Sequence, residues 1–407
     1  MSPLSDRPFQ FAVLHQDRGG AARLGCLHTP HGDVPTPVFM PVGTAGSVKA
    51  ATFEQVAATG ANLILGNTYH LYQRPGHELI EALGGLHRFQ GWDGAVLTDS
   101  AGFQVFSLNE RVKVTEDGVA VQSHLDGARL FFTPELSMQI QLSLGADIVM
   151  AFDHCLPAAS EPAAVAAAAA RTGRWLRRCV DAFGAGGRCR RGAYERVLFG
   201  ILQGGILPDE RRRAAEEIGA LDLPGYAIGG LSVGEPKPVL HELAAVAAAL
   251  LPAAKPRYLM GVGFPDDILA AVLAGVDMFD CVLPTRMART GSVLTWDGRL
   301  VVKNLDYARD ERPLDPQCAC PTCRRHSRAY LRHLFQAGEM LGPMLATQHN
   351  LWFYQDLMRG IRDAIAADQL TAYARATTQR WQNGETDRQT RAARRPPGGR
   401  RRSKPAN

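Results

Sequence analysis

The segment ADIVMAFD, residues 146–153, is a short apolar run that ends abruptly in an aspartate. Because the run is too continuous for a sheet with one solvated face, it predicts a strand buried on both faces. Residues 162–179 follow, with a proline, an alanine run and Ser160 as a candidate N-cap, and they predict a helix. Together these residues predict one strand–helix unit of a parallel sheet.

The same pattern recurs along the chain. Six further apolar runs end in a small or polar residue: ANLILGN (61–67), GAVLTD (94–99), RVLFGILQ (196–203), YAIGG (226–230), RYLMG (257–261) and VDMFD (276–280). More helices are expected at 210–218, 238–251 and 265–274. About eight alternations over roughly 250 residues favour an α/β fold of the (β/α)8 TIM barrel type. The alternative, an open doubly wound sheet, lacks a G-x-G-x-x-G motif after its first strand.

Six of the predicted strands end in a polar residue or glycine: Asn67, Asp99, Asp153, Gln203, Gly230 and Asp280. In a barrel these ends meet at one mouth, where catalysis occurs. A single aspartate after a strand is usually a helix cap, but six such ends predict a site. Two carboxylates facing a sugar can perform a double displacement, and a third can bind an amidine-like ligand edge. The residues alone therefore indicate cleavage of a glycosidic bond and leave the sugar open.

A cysteine cluster near the C-terminus predicts a metal centre. The fourth ligand is expected from the amphipathic stretch 342–361, although His326 and His333 are closer in sequence and are expected on an exposed, Arg-rich helix. Three thiolates and one imidazole form a closed tetrahedral site that favours structural Zn²⁺, one per subunit. The predicted ligands are Cys318, Cys320, Cys323 and His349.

The composition is that of a soluble globular protein, with 46% hydrophobic and 21% charged residues. A run of eighteen apolar residues is absent from the sequence, which argues against a membrane span, and the first residues lack the pattern of a secretory signal. Eight cysteines in 407 residues are too few for a disulfide scaffold. We therefore expect a cytoplasmic, reducing location.

The positive charge is concentrated at the C-terminus. The chain has 45 Lys and Arg against 40 Asp and Glu, but residues 388–407 contain eight basic residues and no acidic one, which leaves 37 against 40. If residues 1–387 bind nucleic acid, they must therefore do so through a local patch of basic residues. The tail is either a phosphate-binding arm or a solubilising terminus. The predicted domains are the barrel with an N-terminal β extension (1–310), a zinc-binding subdomain with C-terminal helices (311–380) and a disordered basic tail (381–407).

Nine collinear segments resemble the tRNA-guanine transglycosylase family over roughly residues 10–375. They are LTDSAGFQVFSL (97–108), SHLDG (123–127), DIVMAFDHC (147–155), GILQGG (200–205), YAIGGLSVGE (226–235), RYLMGVGFPDDI (257–268), DMFDCVLPTRMARTG (277–291), CACPTC (318–323) and GEMLGPMLATQHN (338–350). The length of these motifs makes the resemblance specific, and the basic tail lies outside it.

The resemblance implies roles for the residues at the barrel mouth. Asp280 matches the nucleophile that attacks C1′ of the wobble guanosine, and Asp99 matches the general acid and base. Asp153 matches the carboxylate that reads the N–H edge of the base. The residues implied in base binding are Ser100, Ala101, Gly102, Phe103, Asp153, Gln203 and Gly230.

The resemblance also implies partners. The RNA-binding residues would be Gly261, Val262, Gly263, Phe264, Pro265, Asp266, Asp267, Thr285, Arg286, Met287, Ala288 and Arg289. The partner would be a tRNA anticodon loop with a uridine-guanine-uridine triplet, whose target base leaves its stack. Val233 and Cys155 match the bacterial form, which inserts 7-aminomethyl-7-deazaguanine and releases guanine. Relatives form homodimers.

Two positions depart from the family pattern. Ala101 stands where many relatives have glycine, and we expect it in an ordinary backbone region. His154 stands where relatives commonly have glutamate, and we expect an exposed substitution, with an altered pocket charge as the alternative. Two other functions stay open: a catalytically silent RNA-binding subunit, which should lack a catalytic carboxylate, and a glycoside hydrolase on the same barrel.

Overall fold

The structure is a computed structural model that describes residues 8–107, 112–123 and 125–393. Leu108 and His124 of the quoted motifs, and the part of the basic tail beyond Ala393, lie outside the described residues. Within these ranges the strands are β1 (Gln10–Gln16), β2 (Arg23–Thr29), β3 (Gly32–Thr36), β4 (Val38–Met40), β5 (Val42–Gly43), β6 (Leu63–Gly66), β7 (Ala95–Thr98), β8 (Lys113–Val114), β9 (Val119–Gln122), β10 (Arg129–Phe132), β11 (Ile148–Met150), β12 (Arg188–Arg191), β13 (Tyr194–Leu202), β14 (Gly225–Ile228), β15 (Arg257–Leu259), β16 (Met278–Asp280), β17 (Ser292–Thr295) and β18 (Gly298–Val301).

The α-helices lie between and after these strands. They are α1 (Phe53–Ala58), α2 (Thr68–Gln73), α3 (His77–Ala82), α4 (Gly85–Gln90), α5 (Gly102–Ser107), α6 (Pro134–Leu144), α7 (Pro162–Phe183), α8 (Pro208–Gly219), α9 (Lys237–Leu250), α10 (Pro265–Leu273), α11 (Leu283–Arg289), α12 (Pro321–Arg325), α13 (Arg328–Ala337), α14 (Leu341–Ala366) and α15 (Leu370–Ala393).

A closed parallel barrel forms the body of the protein. The sheet order is β4-β16-β15-β14-β13-β11-β7-β6-β5, and every neighbouring pair along it is parallel. Only Pro41 separates β4 from β5, and its carbonyl accepts the Leu65 N–H at 3.0 Å, so these two strands act as one. The eight resulting strands confirm the predicted (β/α)8 TIM barrel.

The continuous apolar runs are explained by burial on both faces of the sheet. In β6, Leu63 and Leu65 pack inside the barrel, whereas Ile64 packs against the surrounding helices. In β11, Ile148 and Met150 pack inside and Val149 outside. Because successive side chains of a strand alternate, both faces need apolar residues. The first barrel strand was missed in the sequence because Pro41 interrupts its short apolar run.

The N-terminal sheet, β1-β2-β3, is antiparallel and closes the barrel end opposite the mouth. Phe9 packs edge-on against Phe199 of the barrel interior, with ring centroids 5.9 Å apart. Asp147, just before β11, contacts His31 Nδ1 at 2.6 Å and His87 Nε2 at 3.2 Å. These contacts fix the sheet to the barrel.

Helix α7 confirms the predicted helix after β11, but the predicted N-cap at Ser160 is wrong. The helix begins at Pro162, its N-cap is Glu161, and no side chain caps it. A proline at the first helical position forces the preceding residue into an extended conformation, which places the cap one residue later than expected.

The C-terminal helices join the cysteine cluster to the barrel. Helix α14 is largely buried, and its Gln355 Nε2 donates to the carbonyl of Phe39 in β4 at 3.0 Å. Helix α15 continues to Ala393, so the first part of the predicted tail is helical where the structure describes it. Trp381 docks near Phe353, with ring centroids 6.4 Å apart, and this contact anchors a stretch whose overall composition is polar. No described helix is long and apolar enough to cross a membrane.

Candidate active site

The structure brings three carboxylates to the C-terminal mouth of the barrel. Asp99 follows β7, Asp153 lies beyond β11, and Asp280 ends β16. Both Asp153 and Asp280 are close enough to Asp99 to raise its pKa. Like charges in one cleft are costly to ionise together, so their protonation states are coupled.

Asp99 is buried and held by neighbouring donors. Its Oδ2 accepts a hydrogen bond from Asn67 Nδ2 at 2.5 Å, and its Oδ1 accepts from the Thr68 N–H at 2.8 Å. Burial raises the pKa of Asp99 to about 7, against the opposing effect of the backbone N–H donors. A carboxyl group with a pKa near neutrality can both donate and accept a proton.

Asp280 is held through one oxygen. Its Oδ1 accepts from the Tyr258 hydroxyl at 2.6 Å and from the Gly261 N–H at 2.7 Å. Burial raises the pKa of Asp280, and the Tyr258 and Gly261 donors oppose that rise by stabilising the carboxylate. Since both hydrogen bonds reach Oδ1, they orient Oδ2 without engaging it. This arrangement suits a nucleophile.

Asp153 lies in a polar pocket between two loops. Its Oδ1 accepts from Ser100 Oγ at 3.1 Å, and its Oδ2 accepts from Gln203 Nε2 at 2.7 Å. Burial raises the pKa of Asp153 to about 6, while both donors lower it. A Cβ atom on Gly102 would lie 2.5 Å from Asp153 Oδ1, and one on Gly230 would collide with Gln203 Oε1. The pocket therefore requires glycine at both positions.

Ala101 corrects an expectation. Its φ of 72° is in the left-handed region, so the predicted ordinary backbone conformation is wrong. Two local side chains stabilise this turn. Asp99 Oδ1 accepts the Ala101 N–H at 3.4 Å, and Ser100 Oγ accepts the Gly102 N–H at 3.1 Å. A left-handed non-glycine residue costs about 1–2 kcal/mol, which burial of the methyl group offsets by roughly 0.8 kcal/mol.

His154 corrects a second expectation, because it is buried rather than exposed. Its backbone N–H donates to Thr172 Oγ1 at 3.0 Å, and Arg171 Nη1 lies 3.1 Å from its ring Nδ1. Burial and the Arg171 charge lower the pKa of His154 to about 4. A neutral imidazole therefore occupies this position next to Asp153 at neutral pH.

The residues predicted to bind RNA divide by exposure. Those with buried side chains or backbone are Val262, Gly263, Pro265, Asp267, Thr285 and Ala288. Those exposed are Gly261, Phe264, Arg286 and Arg289, with Asp266 and Met287 half-buried. Lys237 Nζ lies 4.8 Å above the Phe264 ring and also pairs with Asp266 and Asp267. Only the exposed and half-buried residues of this set have side chains or backbone that RNA could contact directly.

Two supporting residues were missed from the sequence: Thr68, which holds Asp99, and Tyr258, which holds Asp280. Tyr258 is fully buried in β15 among apolar neighbours. A buried tyrosine needs a partner for its hydroxyl, so its position in the run RYLMG was a usable signal. The contact of Thr68 depends on two separate barrel strands, and local sequence gives no indication of it.

The four predicted metal ligands converge. One donor atom of each of Cys318, Cys320, Cys323 and His349 lies within 4.8 Å of the others, and all four residues are buried. The structure thus selects His349, whose Nδ1 lies 3.3 Å from Cys323 Sγ and 3.6 Å from Cys320 Sγ.

The tautomer of His349 favours metal binding. Its Nε2 lies 2.7 Å from the carbonyl of Leu294, which can only accept, so Nε2 carries the proton. The lone pair of Nδ1 then faces the thiols. Three thiolates and an imidazole oriented in this way fit a closed tetrahedral zinc ion with no open position.

Comparisons with known proteins indicate the family of this chain. The family model described as queuine tRNA-ribosyltransferase matches residues 17–383. The chain is 53% identical over 366 residues to the queuine tRNA-ribosyltransferase of Desulforamulus reducens, covering 90% of this chain and 97% of that one. It is 56% identical to the Pelotomaculum thermopropionicum protein of that name, covering 87% and 94%. For the Symbiobacterium thermophilum protein, identity is 52% and coverage is 94% of both chains.

Proposed function

The chain belongs to the queuine tRNA-ribosyltransferase family of tRNA-guanine transglycosylases, pentosyltransferases of queuosine biosynthesis, and we propose its reaction in detail. The enzyme exchanges the wobble guanine of tRNA for 7-aminomethyl-7-deazaguanine through a covalent intermediate on Asp280. The observation that carries this proposal is a held carboxylate, Asp280, beside a second carboxyl, Asp99, whose pKa is about 7.

In the first half of the reaction, Asp280 Oδ2 attacks C1′ of the ribose. The C1′–N9 bond breaks, its electron pair leaves with guanine, and the proton of Asp99 passes to the departing base. The hydrogen bonds from Tyr258 and Gly261 favour the carboxylate form of Asp280, whereas burial raises the pKa of Asp99 to about 7 and so favours its protonated form. The reaction requires the two carboxyl groups to hold opposite protonation states.

In the second half, the incoming base enters the same pocket. Asp99, now ionised, removes the N9 proton of that base, and N9 attacks C1′. The ester bond to Asp280 breaks and restores the carboxylate. Two displacements at one carbon return the original configuration of the ribose.

Base recognition falls to Asp153 and the groups around it. Guanine and its 7-deaza analogues present adjacent N1–H and N2–H donors, which a carboxylate can accept together. Gln203 donates to Asp153, and Gly230 lies against Gln203. Val233 and the buried Cys155 support the aminomethyl base as the incoming substrate.

The RNA partner is a tRNA anticodon loop with a uridine-guanine-uridine triplet. The exposed Arg286 and Arg289 offer charge for phosphates and base edges, and Phe264 offers an exposed ring beside the mouth. We further propose that the enzyme is a cytoplasmic homodimer with one structural zinc ion per subunit, held by the cysteine–histidine cluster.

Incorporation of radiolabelled guanine into unmodified tRNA tests this function directly. A transglycosylase incorporates the label, whereas a glycoside hydrolase or a catalytically silent RNA-binding subunit does not. Absence of incorporation by folded protein that binds tRNA would overturn the proposal.

The rate of adduct formation should depend on pH with a bell shape. As pH rises, ionisation of Asp280 increases the rate, and deprotonation of Asp99 then decreases it above about pH 7. Single-turnover trapping of the RNA adduct between about pH 5 and 9 measures both limbs, with tRNA binding checked at each pH. In Asp99→Asn the alkaline limb should disappear; a limb that persists would assign it to another group.

Gly102→Ala should weaken base binding. The new methyl group would meet Asp153 Oδ1 at 2.5 Å and the Asp153 carbonyl at 2.8 Å, so the carboxylate must move. We expect the KM for guanine to rise roughly tenfold or more, as for loss of a charged hydrogen bond. Gly219→Ala is the matched control, because a Cβ there meets nothing within 4 Å. Equal KM values for the two variants would contradict the assigned role of the pocket.

A further inference from the structure

Arg211 lies in the first turn of α8 and is fully buried. Its Nε donates to the carbonyl of Gly205 at 2.8 Å. Its Nη2 donates to the carbonyls of Gly229 at 3.1 Å and Gly230 at 3.3 Å. One guanidinium therefore joins the loop that follows β13 to the loop that follows β14.

This arrangement is costly for stability. Within the described parts of the chain, no carboxylate lies at ion-pair distance from Arg211, and its Nη1 has no hydrogen-bond partner. Burial lowers the pKa of Arg211 to about 10, although the charge of Glu235 opposes that shift, so the guanidinium still carries its charge at neutral pH. Burial of a charge that no carboxylate contacts directly is unfavourable, and such costs are expected where function requires them.

The two loops joined by Arg211 carry the base-recognition groups Gln203 and Gly230. The carbonyl of Gly229 and the N–H of Gly230 belong to one planar trans peptide and point in opposite directions. An arginine that holds this carbonyl therefore fixes the direction of the Gly230 N–H. That N–H and the Gln203 side chain both interact with the buried thiol of Cys155. Burial raises the pKa of this thiol to about 12, and the two groups oppose that rise.

Close packing also ties the position of the Gln203 side chain to Arg211. A Cβ atom on Gly204, where φ is 138°, would lie 2.8 Å from both Cγ and N of Arg211, so this loop rests directly on the arginine. A Cβ on Gly229 would lie 2.7 Å from Gln203 Nε2. A shift of either loop would thus move the carboxamide that donates to Asp153.

We propose that Arg211 is a positioning residue for recognition of the base, which it never touches. It holds the Gly230 N–H and the Gln203 carboxamide at the spacing that guanine and its 7-deaza analogues require. This inference rests on the proposed function and adds a residue to it. Because base contacts act on bound base and transition state alike, their loss should appear mainly in KM.

Arg211→Met tests the proposal, since it keeps an unbranched stem as far as the position of Nε and removes the donors. We expect the KM for guanine to rise roughly tenfold to a hundredfold, as for loss of one charged hydrogen bond between the base and its pocket, with the KM for tRNA unchanged. Arg211→Lys, which can reach one carbonyl, should give an intermediate KM. Arg212→Met is the matched control, because Arg212 is exposed and pairs with Asp209.

The outcomes separate the two hypotheses. Wild-type enzyme that neither exchanges nor binds guanine would overturn the proposed function. Active wild type with an unchanged guanine KM in Arg211→Met, or with a fall in kcat alone, would overturn only the positioning role. If Arg211→Met does not fold, Arg211→Lys decides: a raised guanine KM at an unchanged tRNA KM supports the role, and a wild-type KM rejects it.

Discussion

Asp280→Asn is expected to abolish base exchange and the covalent RNA adduct. The amide oxygen can still accept from the Tyr258 hydroxyl and the Gly261 N–H, so the side chain keeps its place. A neutral amide is a poor nucleophile, however, and cannot form the ester with C1′. Loss of a catalytic nucleophile typically costs roughly 10⁴-fold or more in rate. Binding of tRNA should change little, because the exposed arginines Arg286 and Arg289 are unaltered.

The adduct is measured on a denaturing gel after incubation with labelled tRNA. Tyr258→Phe is the control for the surroundings of Asp280: it removes one donor, so the adduct should form more slowly but still form. Asp280→Ala is a second control, because asparagine can deamidate to aspartate and alanine cannot. An adduct that persists in both Asp280 variants would show that another residue attacks the ribose.

Loss of the metal should unfold the C-terminal element and, with it, the activity. Cys320→Ser replaces a fully buried ligand whose sulfur also accepts the Cys323 N–H at 3.3 Å. Loss of even ~5 kcal/mol of metal-binding free energy would lower the unfolding temperature by about 10 °C. We expect a chelator to have the same effect on wild-type protein.

Activity is expected to fall because helix α14 connects the cysteine–histidine cluster to the loop that holds Asp280. This helix carries His349, and one turn further on its Tyr354 hydroxyl contacts the carbonyl of Gly263, in the loop whose Gly261 N–H holds Asp280. Disorder around the proposed metal site would therefore reach Asp280. Zinc content, calorimetry and exchange rates are measured together, with Cys189→Ser, which lies outside the cluster, as the matched control. If chelation stopped exchange without a change in unfolding temperature, the metal would have a catalytic role.

Two departures from the family pattern show how burial changes the meaning of a residue. At Ala101 the backbone is left-handed because two neighbouring side chains accept its own N–H and the next one, and this outweighs the steric preference of alanine. At His154 the imidazole is buried beside Arg171 and stays neutral. The residue expected to be an exposed substitution is therefore buried, directly after Asp153 in the chain.

The sequence by itself determined the repeated strand–helix unit, the carboxylates at strand ends and the cysteine cluster. Each of these is a local pattern: burial on both faces requires a continuous apolar run, and C-terminal strand ends of a barrel necessarily converge. Only the tertiary structure decided which histidine completes the cluster, which donors hold Asp99 and Asp280, and that Arg211 joins two loops. These contacts join residues distant in the chain, and their geometry is set by packing, which no local pattern of residues encodes.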